Sequence, residues 1–223
     1  MNIPMIKALV KKDWMLYRRY IVAYSVLGIA ATFLMIAPSV VAYYIGQVLL
    51  VTVLIGASAH ISISSVVTEK KEDQLSFIMG LPLNVTDYVI SKTLGVLAIY
   101  SVCWVVIVAT LVFAIDISGL SDGLLPMAIV CSLEILVATA LLLSIGILSG
   151  SEPITIVSMV VLNLFFNVFL FSMARIPDIG NNLWGDVAVF SPTVFKIIAV
   201  EIVLIVSITL GTIGIKSRQQ CFM

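Results

Sequence analysis

Six apolar runs, each close to or longer than the roughly 20 residues that a bilayer crossing needs, take up most of this chain. They cover residues 20–37, 40–67, 88–115, 124–148, 154–174 and 194–215, with polar or Pro- and Gly-bearing connections between them. A water-soluble fold cannot hide that much apolar length. The chain is 61% apolar and 11% charged, against about 45–50% and about 25% in soluble domains, so it lacks the polar surface such a fold requires. Disorder is excluded by the same balance. In hydrocarbon the backbone must satisfy its own hydrogen bonds, and the runs lack the short alternating segments of a barrel. The expected fold class is all-α integral membrane, one transmembrane domain over residues 1–223 with six transmembrane helices.

Six crossings put both termini on one side. Lys7, Lys11, Lys12, Arg18, Arg19, Lys70, Lys71, Lys92, Lys216 and Arg218 fall on that side, and only Arg175 and Lys196 on the other. The positive-inside rule then makes both termini cytoplasmic, in a multi-pass protein of the bacterial plasma membrane. A cleavable signal peptide is not expected, because the polar stretch before the first run is too long for one.

Several functions are excluded by what the chain does not carry. Lys plus Arg equals Asp plus Glu at 12 each, so no net field attracts nucleic acid. His60 is the single histidine, and Cys103, Cys131 and Cys221 form no Cys-x-x-Cys pair. No metal site and no catalytic residue are therefore expected. Phosphate-loop, H-E-x-x-H and G-x-S-x-G patterns are all missing, so the chain reads as a non-enzyme whose energy comes from another protein.

Two segments outside the runs carry a pattern. In residues 1–19, Ile3, Ile6, Val10, Trp14, Tyr17 and Ile21 recur every three or four positions, with Lys7, Lys11 and Arg18 flanking them. This predicts an N-terminal interfacial amphipathic helix, or else a basic stop before the first span. The connection between spans two and three opens with Glu69, Lys70, Glu72 and Asp73 and continues with Leu75, Ile78 and Met79 on one helical face. Gly80, Leu81 and Pro82 end it, and Asn84 caps the next helix. A short helix over 69–80 suits docking into a partner's groove; a solvated linker is the plainer reading.

Polar groups inside the runs need a reason, because an ionisable residue at the centre of a membrane helix costs about 2.5–3.5 kcal/mol on insertion scales. Glu134 lies about 15 Å into span four and Glu201 about 10 Å into span six. Asn163 and Asn167 share a face of span five, and Ser58, Ser62 and Ser65 share one of span two. Glu134, Asn163, Asn167 and Glu201 are candidates for a translocation path. Their structural alternative is interhelical hydrogen bonding, or pairing of Glu201 with Lys196 or Arg175. Gly28 and Thr32 in span one, and Ser207, Gly211 and Gly214 in span six, would let helices approach closely.

The segment Lys7-Ala8-Leu9-Val10-Lys11-Lys12-Asp13-Trp14 resembles the opening of the ABC-2-type permeases, membrane subunits of bacterial ABC exporters. Leu81-Pro82-Leu83-Asn84 followed by Val89-Ile90-Ser91-Lys92 is similar to that family's Leu-Pro-x-Ser/Thr box with a Ser/Ala-Lys ten residues beyond the proline. Asn84 stands where the family has a hydroxyl residue. The resemblance implies a homo- or heterodimer of permease subunits in the lipid bilayer, with cytosolic ABC ATPase subunits that bring ATP and Mg. No cofactor is implied in this chain. Residues 69–80 would be the coupling helix, with Glu69, Lys70, Glu72, Asp73, Leu75, Ile78, Met79, Leu81 and Pro82 facing the ATPase. Residues 175–192 would form short external re-entrant helices. Within the family the chain is similar to permeases of the phenol-soluble modulin exporter type, which implies export of amphipathic, antimicrobial or toxin peptides. Two other functions fit the spans: a self-sufficient carrier or channel using Glu134 and Glu201, and a non-transporting assembly subunit. No repeated half, frequent in secondary carriers, is visible.

Overall fold

The computed structural model describes residues 2–69, 84–118 and 120–218. All regular structure among them is helical: α1 (Ile3–Met35), α2 (Val40–Ile63) with a π-helical turn Ser64–Thr68, α3 (Val85–Ser118), α4 (Leu124–Ser149), α5 (Glu152–Arg175), α6 (Pro177–Gly180) and α7 (Pro192–Arg218). Every one of these except the four-residue α6 is long and apolar enough to cross a bilayer. The chain is a multi-pass membrane protein.

Local chemistry sets the helix ends. Pro4 sits in the first turn of α1, where a missing N–H is harmless, and the Asn2 side chain accepts from the Met5 N–H at 3.4 Å. Pro38 follows α1, and Ser39 caps α2 by accepting from the Ala42 N–H. Gly150 closes α4 with φ 56°, a left-handed conformation that glycine adopts without a Cβ clash.

The arm and span one form one continuous helix, Ile3–Met35. No proline or glycine interrupts α1 between Pro4 and Gly28, so nothing breaks its hydrogen-bond ladder. Its buried stripe is also rotated from the expected one. Leu9, Asp13, Tyr17 and Ile21 point inward, whereas Ile3 and Trp14 are exposed.

α1 and α3 run parallel and level: the Asn2 N–H donates to Asp87 at 3.1 Å, and Ser25 donates to Cys103 Sγ at 3.6 Å. Each is about 50 Å long, well over the roughly 30 Å of hydrocarbon in a bilayer. α2 crosses the far end of α1 at Gly46, where a Cβ would strike the Ala31 carbonyl and the Met35 backbone nitrogen. α4 is the central helix, with 56% of its most apolar window buried against 11% for α5. Sparse polar links bind these helices. Thr139 donates to Ser58 at 2.8 Å, Tyr100 to the Leu54 carbonyl at 3.2 Å, Trp104 to the Ser132 carbonyl at 2.8 Å, and Thr212 to Ser144 at 2.6 Å. The serine stripe of α2 thus serves as glue at Ser58.

At the end away from the termini, α6 and the chain after it fold over α4 and α7. Ile179 packs with Val130 and Val194, and Ser121 donates to the Leu183 and Gly185 carbonyls at 3.0 and 2.5 Å. Residues 175–192 hold one helix, α6, rather than several. Of the small residues expected at helix contacts, Gly28 meets Ile107 and Thr32 is buried, but Gly211 and Gly214 face open space.

Candidate functional site

The most constrained chemistry lies at the end of the bundle that carries the termini. Glu69 follows the π-helical turn, a widened geometry often found at functional sites, and is 4% exposed. Lys92, one and a half turns into the buried part of α3, is 0% exposed, and Asp13 of α1 is 1% exposed. Lys92 Nζ lies 2.8 Å from Asp13 Oδ2 and 2.8 Å from Glu69 Oε1. Lys12 reaches in from the surface to pair with Glu69, and it sits 3.6 Å from Asp13 Oδ1. The Tyr88 hydroxyl donates to Glu69 Oε2 at 3.3 Å, and its ring lies under the Lys92 ammonium at 6.0 Å.

Two carboxylates and two ammonium groups cancel, which is the condition under which buried charge is tolerable. The two stretches quoted for the family resemblance therefore meet in space, Asp13 from one and Lys92 from the other. Sequence reasoning placed Lys92 and Lys12 only as orienting charges and gave Asp13 no role. The available signal was Asp13 standing in the four-residue stripe with Leu9, Tyr17 and Ile21, since a lone charge on a buried face demands a partner.

Of the expected coupling residues, Glu69 alone is described, and it belongs to this cluster. Lys70, Glu72, Asp73, Leu75, Ile78, Met79, Leu81 and Pro82 lie outside the described residues. In the sequence they lie between Glu69, at the end of α2, and Asn84, just before α3.

The four candidate path residues separate into two pairs. Asn163 and Asn167 line a groove of about 660 Å³ between α2 and α5, shared with Gln47, Thr52 and Gly56. Asn167 donates to the Asn163 carbonyl at 2.8 Å, and Thr52 to the Val48 carbonyl at 2.7 Å, so both spend one polar group on their own helix. The groove keeps Gln47, Asn163 and Asn167 together on an otherwise mostly apolar surface.

Glu134 and Glu201 are elsewhere, across the contact between α4 and α7, near enough to sense each other's charge. Register explains this, because the Thr212 to Ser144 link sets the two parallel helices side by side with an offset that levels residue 134 with 201 or 202. Glu201 is 3% exposed, and neither carboxylate oxygen has a hydrogen-bond partner among the described residues. The pairing with Lys196 or Arg175 considered from sequence is not formed. His60 is a packing residue: its Nδ1 lies 3.1 Å from the Tyr24 hydroxyl, and Tyr20 meets its ring edge-on. Cys103 and Cys131 are free thiols.

On the far side, Asp178 is half-buried beside the start of α7. Hydrogen bonds from Thr193 and Ser191 hold its carboxyl below the usual carboxylate range. No family model, curated protein or solved structure matches the chain.

Proposed function

We propose that this chain is the permease subunit of an ATP-driven exporter of the ABC-2 type. It works as a dimer in the bacterial plasma membrane, with both termini cytoplasmic and with separate cytosolic ATPase subunits that bring ATP and Mg. The observation that carries this reading is the buried cluster of Asp13, Glu69 and Lys92. It joins α1, the end of α2 and the start of α3, and residues 70–83 lie between the latter two in the sequence. A force applied to that segment meets a stiff joint, because separating any member strands a charge in a dry interior. Motion then passes to whole helices rather than being absorbed locally. The groove lined by Asn163, Asn167, Gln47 and Thr52 supplies the surface along which an amphipathic peptide would leave, its polar side against the amides.

The test is twofold. The full chain purified gently from its native membrane is expected to bring down a protein with a phosphate-loop ATPase sequence. Replacing Leu75 and Ile78 by Asp is expected to cut ATP-driven export at least tenfold while insertion is unchanged. Unchanged export from that variant would remove the coupling role.

One observation favours a carrier instead. Glu201, buried with both oxygens unpartnered opposite Glu134, is what an internal ion site looks like. In the exporter reading the pair is structural, and Glu201→Gln is expected to leave export within about twofold of the parent. Abolished export with intact folding would shift the assignment to the carrier.

A further inference from the structure

The flank of the bundle between α1 and α3 carries a groove that the transport reading does not use. It measures about 460 Å³, and its lining is Ile6, Val10, Trp14, Ala98, Ile99 and Val102 with Lys7 and Lys11. The walls are almost wholly apolar, and the two lysines stand four residues apart on one edge of α1, both exposed. Lys12, by contrast, turns inward to Glu69. Neither Lys7 nor Lys11 has an acidic partner among the described residues, so two positive charges border an apolar trough with nothing to neutralise them.

The trough's position along the bilayer normal decides what fits. Along the pair the contacts shift from Asn2–Asp87 and Val10–Gly95 to Asp13–Lys92 and Gly28–Ile107, so Val102 lies level with residues 17–23. The upper wall of the groove therefore reaches the start of the apolar run near Tyr20. Trp14 lies about 9 Å and Lys11 about 13 Å outside the start of that run, so Trp14 borders the headgroup layer and Lys11 reaches back toward it along its own flexible stem. Tryptophan is the residue that favours this layer, and lysine beside it faces phosphate. An apolar slot that opens into hydrocarbon at one end and ends at two unneutralised ammonium groups at the other matches one shape of ligand.

We infer that the groove between α1 and α3 is a binding site for one anionic phospholipid of the leaflet on the side of the termini, its phosphate held by Lys11, with Lys7 one turn further out, and an acyl chain along Ala98, Ile99 and Val102. The site is independent of whether the chain is an exporter or a carrier. A bound lipid there packs against the face of α1 next to the Asp13 stripe and braces the helix that carries the ion cluster.

The test is native mass spectrometry of the full chain released from mixed vesicles of phosphatidylglycerol and phosphatidylcholine. One phosphatidylglycerol per chain is expected to survive release in preference to phosphatidylcholine. Lys7→Gln with Lys11→Gln, two exposed changes that leave the core intact, is expected to weaken that retention about thirtyfold. Ala98→Phe fills the slot without altering charge and is expected to expel the lipid, with circular dichroism confirming an unchanged helix content. Glycerol phosphate, the same headgroup without chains, is expected not to compete. Equal retention of the two lipids, retention untouched by Ala98→Phe in a folded protein, effective competition by glycerol phosphate, or a second copy of the chain occupying the face in place of lipid would each overturn the assignment.

Discussion

Lys92 is the residue on which the terminus-bearing end depends. Its ammonium, wholly buried, is the only positive charge among the described residues that contacts both Asp13 and Glu69 at hydrogen-bond distance. Replacing it by Met keeps the volume but leaves two carboxylates facing each other in a dry site with only the half-exposed Lys12 to offset them. Loss of one partner from a buried pair typically costs about 3–5 kcal/mol. Lys92→Met is therefore expected to lower the stability of the purified protein by that order, read by denaturant or thermal unfolding in a fixed detergent. Adding Asp13→Asn is expected to restore part of the loss, since the stranded charge is then removed; an additive double variant would contradict the cluster. Asp178 gives a separate, pH-dependent expectation. Its carboxyl is held low in the folded state by Thr193 and Ser191. That contribution is complete above the unfolded value of about 3.9 and disappears as pH falls through the lower folded value. Asp178→Asn is expected to abolish this acid-dependent loosening of the segment before α7, measured by amide exchange across residues 181–191. At this scale the sequence disclosed the polar candidates but not their partners. Nothing in the spacing of Glu134 and Glu201, or of Asp13 and Lys92, says which helices are neighbours.

At the scale of the element, helix existence was legible and helix orientation was not. Proline and glycine mark most of the ends, and apolar runs of this length admit no other structure in a bilayer. The inward face is a different matter. A helix apolar on every side has no stripe to read, and α5 exposes Ile154, Val157, Val160, Leu164, Phe165, Val168 and Phe171 because lipid, not water, surrounds it. In α1 a buried Asp interrupts the stripe of Leu9, Tyr17 and Ile21, so apolar spacing alone runs through Ile6, Val10 and Trp14 before it reaches Tyr17 and Ile21. Close approach at the α1–α2 crossing offers a test of packing. Gly46→Val would push a branched side chain against the Ala31 and Met35 backbone, and overpacking of this kind costs about 1–3 kcal/mol. The expected result is a lower unfolding midpoint in detergent with unchanged helix content; an unchanged midpoint would mean that the crossing is looser than the structure has it.

The molecule as a whole is a bundle centred on α4, with a stiff charged joint at one end and a folded cap at the other. α1 and α3, each about 50 Å long, connect the two. In the proposed function this long, level pair of helices, pinned by an ion pair at one end, acts as a lever moved through residues 70–83. The central claim is that motion enters there from a nucleotide-driven partner and not from an ion gradient. The most direct measurement is peptide flux in sealed vesicles holding the purified full chain, first alone under an imposed proton or sodium gradient and then with its ATPase and ATP. The account predicts no flux in the first case and ATP-dependent flux in the second. Flux from the chain alone, driven by the gradient without nucleotide, would contradict it.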